Sequence, residues 1–165
     1  MRELNQIRDA VIGAFREAGL AAMASYPDQA AKQYDACPVA AVAVETAESR
    51  TVGFCNYLGE ESDPETGQIR ELYGKQLDAV ISVEIRGARA AVCEKGCETA
   101  AEVLLGQLPA GIRPGELNWE GLSWENGTDS FLRRGHLRCQ AFFLAQTEDE
   151  ETLFLDFRLK GAVIT

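Results

Sequence analysis

Residues 78–86 read Asp-Ala-Val-Ile-Ser-Val-Glu-Ile-Arg, with Ala79, Ile81, Val83 and Ile85 at every second position and Ser82, Glu84 and Arg86 between them. Successive side chains of a strand point to opposite faces, so this stretch predicts a strand with one buried and one wet face. The same alternation recurs further on. Leu137, Cys139, Ala141, Phe143 and Ala145 alternate with His136, Arg138 and Gln140, which reads as the longest strand. Leu153, Leu155, Phe157 and Leu159 alternate with Asp156, Arg158 and Lys160, a closing strand after an acidic turn at 147–151. Strands joined by short turns favour an antiparallel sheet, and a single apolar face has to be covered.

The period changes to three and four residues in two places. Over 3–19, Leu4, Ile7, Val11, Phe15 and Ala18 share one helical face, and Gly19 supplies a stop. Over 90–106, Cys93, Cys97, Ala100, Ala101 and Leu104, continued by Leu108, form a second apolar stripe, which Gly96 weakens. Shorter strands are expected at 20–25, 39–45, 52–58 and 117–124, with a polar connection at Glu48-Ser49-Arg50 and a turn at Asn126-Gly127. Residues 28–37 read as loop or a weak helical turn. The expected architecture is a single α+β domain over 1–165: an antiparallel β-sheet with two α-helices packed on one face.

Composition narrows the function classes. A chain of 165 residues that is 46% hydrophobic can bury a core without disulfides or metal. Its formal net charge of −10 disfavours direct nucleic-acid binding and contact with anionic lipid, because both need clustered Lys and Arg. Five cysteines are an odd number, so free buried thiols in a reducing compartment are expected. No stretch approaches the ~20 apolar residues of a membrane span. Met1-Arg2-Glu3-Leu4 does not read as a signal peptide.

Catalytic patterns are weak throughout. The lone histidine, His136, falls on the wet face of its strand, opposite Cys139, so the two cannot form a nucleophile–base pair. Gly121-Leu122-Ser123-Trp124-Glu125 lacks the second glycine of a nucleophile elbow. Cys93 and Cys97 read as core residues rather than metal ligands. Counted from Glu61, an EF-hand loop would need Gly where Thr66 stands and Glu where Leu72 stands. No phosphate-binding glycine motif is present. No cofactor, metal site or enzymatic activity is expected.

The unusual segment is 52–77. Residues 59–70 are polar, carry Pro64 and Gly67, and read as a long protruding loop whose order comes from a neighbouring molecule. Aromatic residues beside a polar arm are the composition of a contact surface. The residues expected to make it are Phe54, Tyr57, Leu58, Glu60, Glu61, Asp63, Glu65, Glu71, Leu72 and Tyr73. The bland alternative is that the bulky ones pack on their own sheet.

The same segment carries a resemblance. Gly53-Phe54-Cys55-Asn56-Tyr57-Leu58-Gly59-Glu60, Glu65-Thr66-Gly67 and Glu71-Leu72-Tyr73-Gly74-Lys75 resemble a run in small proteins of Firmicute prophages with contractile-type tails. Leu104-Leu105, Leu108-Pro109-Ala110-Gly111, Leu137-Arg138-Cys139 and Phe154-Leu155-Asp156-Phe157 are similar to the same group. The family is that of tail terminator, or tail-completion, proteins. The resemblance implies an α+β fold and a hexameric ring at the end of the tail tube. It also implies tail tube, sheath and head-connector proteins as partners, with residence in the host cytoplasm during assembly and then in the virion tail. A cellular adaptor domain and a small-ligand-binding domain are the competing readings.

Overall fold

The computed structural model describes residues 2–25, 37–51, 56–146 and 156–160. Among them are two helices, α1 (Arg2–Glu17) and α2 (Ala90–Gly106). Eight strands join them: β1 (Ala21–Met23), β2 (Val39–Thr51), β3 (Tyr57–Ser62), β4 (Ile69–Gly87), β5 (Ile112–Trp119), β6 (Ser123–Glu125), β7 (Ser130–Gln146) and β8 (Asp156–Leu159). The strands form one mostly antiparallel sheet in the order β1-β2-β4-β7-β5, so the fold is α+β as expected. Only β1 and β2 run parallel.

β4 and β7 are the axis of the sheet, paired without a break from Gly74↔Leu144 to Gly87↔Phe131. The far edge of β7 is tiled by β6, β5 and β8 in succession. One edge of β4 is tiled by β3 and then β2. The alternation read from 78–86 holds: Leu77, Ala79, Ile81, Val83 and Ile85 are buried, and the residues between them face the other side. In register with them on β7, Leu137, Cys139, Ala141 and Phe143 are buried as well. Both helices lie on this face. Ile7, Val11 and Phe15 of α1 and Cys93, Cys97, Ala100 and Leu104 of α2 join the strand residues in one core. Each such side chain removed from water stabilises the fold by roughly 1.5–3 kcal/mol if large and apolar. The cysteines described, Cys37, Cys93, Cys97 and Cys139, are free, and all but Cys37 are buried. Burial pushes the Cys139 thiol up to about 11.

Several boundaries differ from expectation. Ala18 is exposed, because α1 ends at Glu17 and Gly19 turns the chain with a φ of +82°. Glu48-Ser49-Arg50 is not a connection but the far half of β2, where exposure on both faces removes the apolar signal. β4, at 19 residues, exceeds β7, at 17, as the longest strand. The strand expected at 117–124 is two strands, β5 and β6. Gly96 is a site of close approach rather than mere weakness. A Cβ there would stand 2.6 Å from Pro38 Cβ and 2.8 Å from Ile85 Cγ2. The expectations for 28–36 and 147–155, and Phe54, lie outside the described residues.

The largest revision concerns 59–70. Residues 59–62 belong to β3 and residues 69–70 to β4, and the two strands form an antiparallel ribbon closed by a turn. The segment therefore pairs with itself as two strands rather than forming an open loop. Asp63-Pro64-Glu65-Thr66-Gly67 is turn chemistry of a known kind: Asp to cap, Pro to preset φ, Gly for the left-handed position.

One close approach holds the end of the sheet. Gly111 O accepts the Phe142 N–H at 2.8 Å, and Phe142 O accepts the Lys160 N–H at 2.9 Å. A Cβ on Gly111 would stand 2.2 Å from the Lys160 carbonyl oxygen. Gly111→Ala is expected to lower stability by about 1–3 kcal/mol, read as a reduced urea midpoint with unchanged slope. Gly106→Ala, where a Cβ meets nothing within 4 Å, serves as control. Equal midpoints for the two variants would contradict the packing described.

Candidate assembly surface

The ribbon starts where Asn56, at a φ of 62°, turns the chain into β3, and its carbonyl accepts the Gly74 N–H at 2.8 Å. Tyr57 stands opposite Tyr73, with ring centroids 5.6 Å apart and planes at 64°, an edge-on contact. The register then shifts by one, leaving Leu58 as a bulge. Its Cδ1 occupies the space beside Gly74 that a Cβ would need, 2.6 Å away. Beyond the bulge the pairs are Gly59↔Leu72, Glu60↔Glu71, Glu61↔Arg70 and Ser62↔Ile69. At the tip, Asp63 N–H donates to Gln68 O at 2.9 Å and Gly67 N–H to Asp63 O at 2.8 Å. Asp63 Oδ1 accepts the Glu65 N–H at 2.9 Å.

Among the described residues, β4 pairs with β2 and β7 from Gly74 onward and with β3 before it. At about 3.4 Å per residue, the five residues from Ile69 to Tyr73 give the ribbon a length of roughly 17 Å. Its surface is mixed. Ile69 is 67% exposed, Leu58 42% and Tyr57 38%, beside Glu60, Glu61, Glu65 and Glu71, all exposed. Asp63, Leu72 and Tyr73 are half-buried. Every expected contact residue except Phe54 is thus brought onto one projecting element.

The ribbon's electrostatics are unbalanced. Glu60 and Glu71 are cross-strand neighbours, a like-charge arrangement that weakens a ribbon by a few tenths of a kcal/mol. Tyr73 donates its hydroxyl to Glu71 Oε2 at 2.7 Å, which stabilises the carboxylate and raises the phenol's pKa. Tyr57 is raised too, by partial removal from water and then by Glu60 and Glu71.

The second surface is the sheet face that the helices leave open. Here β2, β4, β7 and β5 carry charged side chains in register. One row runs Glu48, Asp78, Gln140, Arg113, and the next runs Thr46, Val80, Arg138. Between them is an open groove of about 480 Å³. Bulges in β2 at Val44/Thr46 and in β5 at Pro114/Leu117 flank it. Asp78 is held by Arg50 at 2.5 Å and by the Gln76 side-chain amide at 2.8 Å. The Arg113 guanidinium lies 5.4 Å from the centre of the Phe142 ring. Arg138 is exposed and has no hydrogen-bond or ion-pair partner among the described residues. No ribbon residue lines the groove.

Elsewhere on this face the charges are paired. Arg86, with 9% of its side chain exposed, bridges Glu84 at 2.9 Å and Glu125 at 3.1 Å, and Arg134 reaches Glu84 at 2.9 Å. Thr128 donates to Glu125 at 2.6 Å, which with Arg86 holds that carboxyl below its ordinary pKa. Sequence reasoning missed both this network and the groove. Arg134, His136 and Arg138 at alternate positions were the available signal for a polar sheet face, but their partners come from distant strands.

His136 is not a free surface histidine. Its Nδ1 lies 3.2 Å from Glu45 Oε2 and its Nε2 3.1 Å from Glu120 Oε1. The Glu120 hydrogen bond and the Glu45 charge raise its pKa above the ordinary 6.5, against a smaller opposing effect of burial. A raised folded-state pKa means that this stabilisation is complete below the unfolded-state value and is lost as pH rises through the folded-state value. The stability gap between the native chain and His136→Ala, measured by urea titration, is therefore expected to be largest below pH 6.5 and to shrink above it. A gap that widens with pH would contradict the clamp.

No protein-family model matches the chain, and no curated protein matches it, so the functional reading rests on the surfaces just described.

Proposed function

We propose that the chain is a structural assembly protein, a tail-terminator-like subunit of a phage or prophage tail, which joins copies of itself through the β3–β4 ribbon. One observation supports this above the others. The β3–β4 ribbon, an antiparallel pair, carries Ile69, Leu58 and Tyr57 exposed to solvent. An element that buries little of its own chain and presents apolar and charged groups together suits contact with another molecule. The role is scaffolding rather than catalysis. The motifs at 56–60, 65–67 and 71–73, part of the resemblance to prophage tail proteins, fall in the ribbon and its turns, which supports this reading. A ring at the end of a tail tube needs a heterologous contact repeated around an axis. A projecting arm on one side of each subunit is one way to make it.

Among the described residues, no helix is long and apolar enough to cross a membrane.

The test is to shorten the ribbon without disturbing the body. Tyr57 and Tyr73 face each other, so residues 58–72 can be replaced by Asn-Gly, which closes a two-residue hairpin. The full chain is expected to form oligomers in light scattering as its concentration is raised, and the shortened chain to remain monomeric while still unfolding cooperatively in urea. Oligomers of the same size from the shortened chain would refute the role of the ribbon. A full chain that stays monomeric throughout would refute self-assembly.

A further inference from the structure

We infer that the acidic face of one copy's ribbon docks into the Arg113–Arg138 groove on the open sheet face of the next copy. This rests on the ribbon-mediated assembly proposed above and names its receiving surface.

The two surfaces are complementary. Glu60, Glu71 and Ile69 alternate in register on the same side of the ribbon: two carboxylates directly opposed, and an apolar residue that is 67% exposed. The groove offers the matching set. Arg113 and Arg138 stand on adjacent strands, and Val80 and Pro114 supply apolar lining. The lining also holds two carboxylates, Asp78, which is bound to Arg50, and Glu48. In a chain of net charge −10, copies repel one another at long range, and the arginine side of the groove, Arg113 and Arg138, is where an acidic element gains by approaching. The like-charge strain between Glu60 and Glu71 is relieved by the same contact.

Geometry then decides between self and neighbour. The ribbon continues β4 away from the body, while the groove lies across β4 at Asp78 and Val80. A strand cannot fold back onto its own middle while both parts remain paired, so the receiving groove belongs to another molecule. Ribbon and groove are different surfaces, so the contact is heterologous. Repetition gives a closed ring or an open filament rather than a simple twofold dimer. A groove of about 480 Å³ accommodates the side chains of a few residues, not the ribbon as a whole.

The experiment uses charge reversal on the full chain. Arg113 and Arg138 are exposed, so R113E/R138E and the milder R113Q/R138Q are expected to fold, as checked by thermal melting. Association measured by sedimentation is expected to weaken about tenfold or more in both, and likewise in E60K/E71K. Mixing R113E/R138E with E60K/E71K is expected to restore association, because the native ribbon of one meets the native groove of the other. If both Arg variants associate like the native chain while the 58–72 replacement is monomeric, the groove is overturned and the ribbon-mediated reading stands. If the mixture does not associate although its components are folded, the pairing of these two surfaces is overturned.

Discussion

Everything in this molecule hangs on the ladder between β4 and β7, which runs unbroken from Gly74↔Leu144 to Gly87↔Phe131. Because side chains alternate across a strand, that ladder fixes two faces at once. One face is largely apolar, with Leu77, Ala79 and Ile81 opposite Ala141, Cys139 and Leu137, and it is covered by both helices. The other presents Asp78, Glu84 and Arg86 opposite Gln140, Arg134 and Leu132. A slip of one residue would exchange the faces and place ion-pairing groups under the helices. Arg86 and Glu84, bound to each other and to Glu125 and Arg134 on flanking strands, favour the observed register.

β4 does two jobs with one strand. From Gly74 onward it is the centre of the sheet, and from Ile69 to Tyr73 it is one side of a ribbon outside it. The joint is built with care for space. Gly74 has no Cβ where Leu58 Cδ1 sits, and its N–H is held by Asn56. Lys75, the next residue, reaches Glu3 of α1 at 2.5 Å, which holds that carboxyl below its ordinary pKa. The base of the ribbon is therefore anchored to both the sheet and the helical layer, so a load on the ribbon would pass into the core rather than into a loose connection.

The body of the fold was legible because its signal is burial. Wherever one face is covered, as in 78–86 and 137–143, apolar residues mark every second position, and the helices are marked at their own period. The ribbon and the far half of β2 were illegible for the same reason. Glu48, Ser49 and Arg50 are exposed, as are Glu60 and Glu61, so nothing in their polarity distinguishes strand from loop. The turn at 63–67 did carry strand-connecting chemistry, but a hairpin without flanking apolar alternation reads as an excursion. The contact residues were readable as a group because they are contiguous in sequence. The groove was not, since Glu48, Asp78, Arg113 and Arg138 meet only through the register of four strands.

Assembly through the ribbon requires it to hold its shape before any partner arrives and to be covered afterwards. Hydrogen exchange of individual amides, followed in dilute and in concentrated protein, tests this directly. In the dilute monomer the Asp63, Gly67 and Gly74 amides, each hydrogen-bonded within the ribbon or at its base, are expected to exchange more slowly than an unstructured chain. On concentration, added protection is expected in the ribbon and in the β5 and β7 residues around Arg113 and Arg138. Ribbon amides that exchange at unstructured rates in the monomer, with protection on concentration appearing elsewhere in the molecule, would contradict it.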